Sequence, residues 1–150
     1  MDIQSQAKAA RQAATQLRGA SADQRNSALC AIADLLEARQ GDILEANAKD
    51  IAAAKAGQLA DALVDRLYLD VGRLAGIVAS VRAIAEQPEV VGQVVEEHTR
   101  PDGLKIARKR IPLGVIAMIF ESRPNVVIDC SALAIKSGNA ILLKGGKEAK

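Results

Sequence analysis

Aromatic side chains are almost missing from this sequence: there is no tryptophan, one phenylalanine and one tyrosine. Proteins that track single-stranded nucleic acid stack bases on aromatic rings beside basic residues. The basic run Lys105, Arg108, Lys109 and Arg110 has no such neighbours. It therefore does not read as a nucleic-acid contact. A net charge of +2 is also too small to argue for nucleic acid or an anionic membrane. His98 is the single histidine. With no cysteine or second histidine beside it, it is expected to face solvent, and no metal site is expected. The two cysteines, Cys30 and Cys130, lie far apart, which predicts reduced thiols and a cytoplasmic setting. No apolar run approaches the roughly 20 residues of a membrane helix. The opening MDIQSQAKAARQAATQ lacks the apolar centre of a signal peptide. There is no G-x-G-x-x-G. Lys144-Gly145-Gly146-Lys147 is not a Walker loop, which would need glycine at Ile141 and Ser/Thr at Glu148.

What is present is alanine and helical periodicity. A chain of 150 residues, 49% hydrophobic and 25% charged, is an ordinary globular composition with room for one core. Ile3, Ala7, Ala10, Ala14 and Leu17 form one stripe of a helix over residues 3–18, followed by Gly19. Ser21 with Gln24 is a capping-box signature for a second helix that turns Leu29, Ile32, Ala33, Leu35 and Leu36 inward. After Gly41, Asp42 is expected to cap a third, with Ile43, Leu44, Asn47, Ile51 and Ala54 on one side and Gly57 at its end. A shorter helix spans residues 59–67. Asp70 caps a helix over residues 71–85 that buries Leu74, Ile77, Val78, Val81 and Ile84, and Pro88 stops it. Cys30 and Cys130 both fall among apolar residues and are expected to be buried and inert.

The period changes after Pro88. Val90, Val91, Val94 and Val95 are β-branched, as strands prefer. Pro101-Asp102-Gly103 is a turn, so residues 92–111 read as a long hairpin. Glu96 and Glu97 are adjacent on a strand and point to opposite faces, which rules them out as a catalytic pair. The next stretch, Ile111 to Lys147, carries the most information. Gly114 to Phe120 is apolar without alternation, as in a parallel strand buried on both faces. Pro124 suits the first position of a helix. Val126, Val127, Cys130, Leu133 and Ala134 then recur at helical spacing, and Gly138 ends the helix in a left-handed cap. Ala140 to Leu143 is a second strand. The result is a βαβ unit, and ligands bind such units beyond the carboxyl ends of the strands. The two polar loops, at Glu121–Asn125 and Lys144–Lys147, are the candidate sites.

Three runs carry a family resemblance: RIPLGVIAMIFESRPNV (Arg110–Val126), ALAIKSGNAILLKGGKEA (Ala132–Ala149), and VGQVVEE with DGLKIARKRIPLGV ahead of them. Together they resemble the aldehyde dehydrogenase superfamily. The E-S-R-P-N-V loop is similar to its γ-glutamyl phosphate reductase branch. The resemblance implies an α/β, aldehyde-dehydrogenase-like fold: amino-terminal helices (residues 1–88), a hairpin (89–111) and the first βαβ (112–150) of a Rossmann-like cofactor domain. On this reading residues 1–150 are the amino-terminal part of an NADP-binding domain. The catalytic domain and its nucleophilic cysteine lie beyond residue 150, so the isolated 150 residues are expected to be inactive.

The implied chemistry is that of an oxidoreductase in proline biosynthesis. NADPH reduces L-glutamyl 5-phosphate to glutamate 5-semialdehyde: a cysteine thiolate attacks the acyl phosphate, phosphate leaves as the thioester forms, and hydride transfer releases the aldehyde and NADP+. Lys144, Gly145, Gly146 and Lys147 match the loop that meets the adenosine ribose. Lys147 stands where NAD-preferring relatives tend to carry glutamate, which favours a 2′-phosphate and hence NADP. Glu121, Ser122, Arg123 and Asn125 are the substrate or cofactor loop. Glu121 occupies the place of the oxyanion-holding asparagine of other relatives, and an ionised glutamate cannot donate that bond. The implied partners are L-glutamyl 5-phosphate, glutamate 5-kinase and further copies of the chain, with the hairpin between subunits. Two other readings stay open. One is a non-catalytic binding or assembly module of the same fold. The other is the reductase half of a bifunctional pyrroline-5-carboxylate synthase, which carries a kinase domain ahead of this region.

Overall fold

A computed structural model describes residues 2–121 and 123–146. Five helices come first: α1 (Ile3–Arg18), α2 (Ala22–Ala38), α3 (Gln40–Ala56), α4 (Asp61–Leu67) and α5 (Val71–Glu86). An antiparallel hairpin follows, β1 (Val94–Thr99) with β2 (Lys105–Lys109). The chain then runs through β3 (Val115–Ile119), α6 (Pro124–Lys136) and β4 (Ala140–Lys144), with β3 and β4 parallel.

Local signals set several boundaries. The Ser21 hydroxyl accepts from Gln24 N–H at 3.2 Å, and the Gln24 side chain accepts from Ser21 N–H at 2.8 Å, closing the expected capping box. The Asp70 carboxylate accepts from Arg73 N–H at 2.7 Å and starts α5. Pro124 takes the first turn of α6, where its missing N–H leaves no bond unmade. Gly138 ends α6 at φ +73, and a Cβ there would lie 2.9 Å from Pro112 Cγ. Glycine is required on both counts.

The main core forms where α2, α5 and α6 meet. Leu29, Ala33, Val78, Val81, Ile84, Ala85 and Ala132 are buried in it, with Ile128 and Ile135 packed alongside. A smaller cluster of Ala54, Val64 and Leu67 joins α3 to α4. Each fully buried leucine or valine contributes roughly 2–3 kcal/mol. Asn47 ties α3 to the segment after α4. Its amide donates to Leu67 O and its oxygen accepts from Leu69 N–H, both at 2.8 Å. This holds the link between α4 and α5 in place, which explains a polar residue on the inward side of α3.

The structure corrects several expectations. Ile3, Ala7, Leu35 and Leu133 are exposed. Their spacing is right, but among the described residues no element covers them. Cys30 is exposed as well, on the outer side of α2, and Cys130 is half-buried. Asp42 does not cap α3. The helix starts at Gln40, and Asp42 pairs with Arg39 at 2.9 Å. Helix α4 begins at Asp61, two residues later than expected. Val90 and Val91 precede the hairpin in a turn rather than a strand. Finally, β3 is not buried on both faces. Ile116 and Met118 are half-buried while Val115, Ala117 and Ile119 are exposed, Ile119 at 81%. The uniform apolar run reflects a strand with two faces to bury, and among the described residues only one is covered. The hairpin is exposed along its whole length, His98 included.

Candidate ligand-binding site

The carboxyl ends of β3 and β4 lie side by side because the strands are parallel and in register, Ile119 opposite Lys144. Backbone pairing continues past the strands. Phe120 N–H donates to Lys144 O, and Gly146 N–H donates to Glu121 O, each at 3.0 Å. The two loops singled out by the sequence are therefore joined. Gly145 packs under Phe120, and a Cβ on it would stand 3.3 Å from Phe120 Cζ. A side chain there would require the ring to give way by a few tenths of an ångström.

Lys144 is exposed and donates to Gly145 O at 3.0 Å. Glu121 is exposed and accepts at Oε2 from Arg66 Nη1 at 2.9 Å. Arg123 sits at the amino end of α6, whose first turn has no side-chain cap. Among the described residues no carboxylate pairs with Arg123. Asn125 Nδ2 donates to Asp129 Oδ2 at 3.3 Å, and Ser80 Oγ donates to Asp129 Oδ1 at 3.2 Å. Ser122 and Lys147 lie outside the described residues. Glu121, Arg123 and Asn125 thus gather at one end of α6, with Gly145 and Gly146 beside them.

Sequence reasoning missed the opposing wall. Arg66 from α4 and Arg73 from α5, with Arg123 and Asn125, line a cleft of about 490 Å³. A neighbouring cleft of about 310 Å³ adds Tyr68, Gly76, Ser80 and Asp129. Arg73 is locked in place: it donates to Asp65 O (2.6 Å), Tyr68 O (2.9 Å) and Asp65 Oδ1 (2.7 Å). It also lies 5.3 Å from the Tyr68 ring centroid. The Asp65 hydrogen bond, followed by the charge of that carboxylate, holds the Arg73 pKa above its ordinary value despite some desolvation. No local pattern could have disclosed this wall, because Arg66 and Glu121 stand 55 residues apart in the chain and meet only once it is folded. A larger cleft of about 590 Å³, mostly apolar, shares Arg123 and Pro124 and is walled by Leu36, Ile43, Leu74, Val127 and Leu143. Among the described residues no cluster of metal-ligating side chains is present, and no helix is long and apolar enough to cross a membrane.

A helical layer, a protruding hairpin and a parallel βαβ unit with polar loops at its strand ends define an α/β protein whose ligands lie beyond those ends. More particularly, the chain belongs to the aldehyde dehydrogenase family, which matches over residues 1–150. It is 50% identical over 149 residues to the γ-glutamyl phosphate reductase of Symbiobacterium thermophilum, covering 99% of this chain and 35% of that protein. Among solved structures, the γ-glutamyl phosphate reductase of Thermotoga maritima is 40% identical, with a TM-score of 0.96 over 99% of this chain and 36% of that one. The corresponding Saccharomyces cerevisiae enzyme is 42% identical at a TM-score of 0.94, covering 99% of this chain and 38% of that one. A probable aldehyde dehydrogenase of Listeria monocytogenes, 18% identical with a TM-score of 0.62, shares the fold over 95% of this chain and 28% of that one. The chain spans little more than a third of the γ-glutamyl phosphate reductases it matches.

Proposed function

We propose that the chain is the amino-terminal part of an NADP-dependent γ-glutamyl phosphate reductase, acting in the cytoplasm in proline biosynthesis. The observation that carries this reading is the likeness to two solved reductases at 40% and 42% identity, with TM-scores of 0.96 and 0.94. The 150 residues supply the amino-terminal part of the NADP-binding domain, and the catalytic cysteine belongs to a further domain. Neither thiol in this chain suits that role: Cys30 is exposed on α2 and Cys130 lies mid-way along α6.

The residues present fit a phosphorylated dinucleotide. The exposed cation Lys144 stands beside two residues without a Cβ, Gly145 and Gly146, at the end of β4, an arrangement suited to phosphate. Lys144, Gly145, Gly146 and Lys147 hold the adenosine end of NADP. Glu121, Ser122, Arg123 and Asn125 make up the substrate or cofactor loop. When bound, the dinucleotide supplies the hydride that reduces the acyl group. The exposed hairpin serves assembly with further copies of the chain, and glutamate 5-kinase is the partner that would hand over the labile acyl phosphate.

The test is the reverse reaction. The full protein that carries this chain should oxidise glutamate 5-semialdehyde with NADP+ only when phosphate is supplied, and Met1–Lys150 alone should not. Oxidation of the aldehyde without phosphate, or turnover by the 150 residues alone, would overturn the reading.

A further inference from the structure

We infer that Arg66 and Arg123 form a clamp for an oxyanion of the substrate, and that the Glu121 carboxylate holds its place until the anion arrives. This rests on the reductase reading and goes beyond it in assigning Arg66, a residue of α4, to substrate recognition.

The argument starts from the cleft of about 490 Å³, into which Arg66, Arg73 and Arg123 project from three different elements. The three guanidiniums are not equivalent. Arg73 spends its donors on Asp65 and Tyr68 and works as scaffold. Among the described residues Arg66 donates only to Glu121, through Nη1 alone, so donors of its fork remain. Arg123 has no carboxylate partner among them. The Arg66–Glu121 pair is itself informative. A carboxylate already sits 2.9 Å from the guanidinium, with the side chains 42% and 66% exposed. It shows that Arg66 presents its donors to an oxyanion at this place. Pairs as exposed as this one are weak and exchange readily. A carboxylate or phosphate reached bidentately by one fork and bracketed by a second would compete well against it. The proposed substrate carries such groups at both ends, a carboxylate at one and an acyl phosphate at the other.

Glu121 also links this clamp to the β4 loop, because its carbonyl accepts from Gly146 N–H. Seating an anion on Arg66 frees the side chain of Glu121 while leaving its backbone tied to the neighbouring glycines.

The test is calorimetric titration of the full protein with inorganic phosphate and, separately, with glutarate, which distinguishes a phosphate end from a carboxylate end. Saturable binding of either is expected. Arg66→Gln and Arg123→Gln should each weaken it at least tenfold, and Arg66→Lys less. Glu121→Gln should tighten it several-fold, since the competitor is gone; that gain keeps the clamp testable even if Arg66→Gln fails to fold. No saturable binding, weaker binding in Glu121→Gln, an equal loss in the hairpin control Arg108→Gln, or displacement of phosphate by NADP+ would each overturn it. Turnover reads the reductase assignment and anion affinity reads the clamp, so either can fail alone.

Discussion

Gly146 N–H donates to the carbonyl of Glu121 at 3.0 Å, one step beyond the last strand pair. The loops after β3 and β4 are thereby fixed to each other by backbone, whatever their side chains do. Glu121 adds a second tie through its carboxylate to Arg66. One residue therefore registers three parts of the site: the β3 end, the β4 loop and the arginine wall.

Gly145 makes that closeness possible. A Cβ at 3.3 Å from Phe120 Cζ is tight for alanine, and valine adds two methyls. Gly145→Val is expected to push the ring aside and lift the loop, at a cost of about 1–3 kcal/mol for overpacking. In the full protein it should also weaken NADP+ binding by about tenfold, the equivalent of one hydrogen bond lost at the loop. Gly145→Ala should fall between. Binding measured by fluorescence quenching alongside a thermal melt separates the two effects; an unchanged affinity in a destabilised protein would confine Gly145 to packing.

Gly138 is constrained twice, by φ +73 and by Pro112 Cγ at 2.9 Å from the added carbon. Left-handed backbone costs a side chain about 1–2 kcal/mol, and the clash adds about 1–3. Gly138→Ala should therefore lower unfolding free energy by about 2–4 kcal/mol, read as a lower urea midpoint at constant slope. Gly41→Ala, in the first turn of α3 with open space around it, is the control and should be neutral or stabilising.

The Arg25–Glu89 pair, 2.7 Å apart with Arg25 only 4% exposed, predicts acid sensitivity. Burial acts most strongly on Glu89 and would raise its pKa. The Val91 N–H and the Arg25 side chain together outweigh it and hold the pKa below the ordinary glutamate value. A lowered folded-state pKa means the stabilisation is present above the unfolded value and is lost as pH falls through the folded one. Chemical denaturation from neutral pH downward should show stability falling below about pH 4.5. Glu89→Gln should remove that part of the slope. It should also cost about 2–3 kcal/mol at pH 7, because the buried guanidinium loses its charged partner and Arg25 Nε already lacks a hydrogen bond.

The parts of the fold visible beforehand were those with local causes. Ser21 with Gln24, Asp70, Pro124 and Gly138 each solve a backbone problem within a few residues, and the buried side of α5 follows from its period alone. Leu35, Leu133 and Ile3 lie on apolar stripes yet are exposed, because periodicity records which face is apolar, while exposure depends on what lies opposite. The same reason holds for Gly114–Phe120. Cys30 went the same way: its apolar neighbours Leu29 and Ile32 face inward while it faces out. The site was half legible. Its two loops follow from the position of polar breaks after apolar runs. Its arginine wall brings Arg66 and Arg73 to the same cleft as Arg123, which no spacing encodes.

Lys136 is the sharpest case of burial without a local cause. It is 4% exposed, and its Nζ donates to Asn26 Oδ1 at 2.7 Å and Ala85 O at 2.8 Å. It thus joins the ends of α2, α5 and α6 at the core. Lys136→Met fills the same space but leaves both acceptors dry, at about 1–3 kcal/mol each if water cannot reach them. The expected total is a loss of about 2–6 kcal/mol. A loss under about 0.5 kcal/mol, the scale of a surface change, would mean water replaces the amine without cost.

Cofactor preference tests the remaining lysine. Lys147 takes the 2′-phosphate of NADP in the proposed function, on the sequence match of Lys144–Lys147 alone. Reversing its charge should therefore hurt the phosphorylated dinucleotide selectively, since like charges repel in place of a charge-assisted bond. In the full protein, Lys147→Glu should raise the KM for NADPH relative to that for NADH by about tenfold or more, the equivalent of roughly 1.4 kcal/mol. Phosphate dependence of the reverse reaction should be unaffected, because the acyl group lies at the other end of the dinucleotide. If both KM values rise in step, the lysine supports the loop without reading the phosphate; if neither moves, it has no part in the cofactor site and the NADP assignment loses its residue.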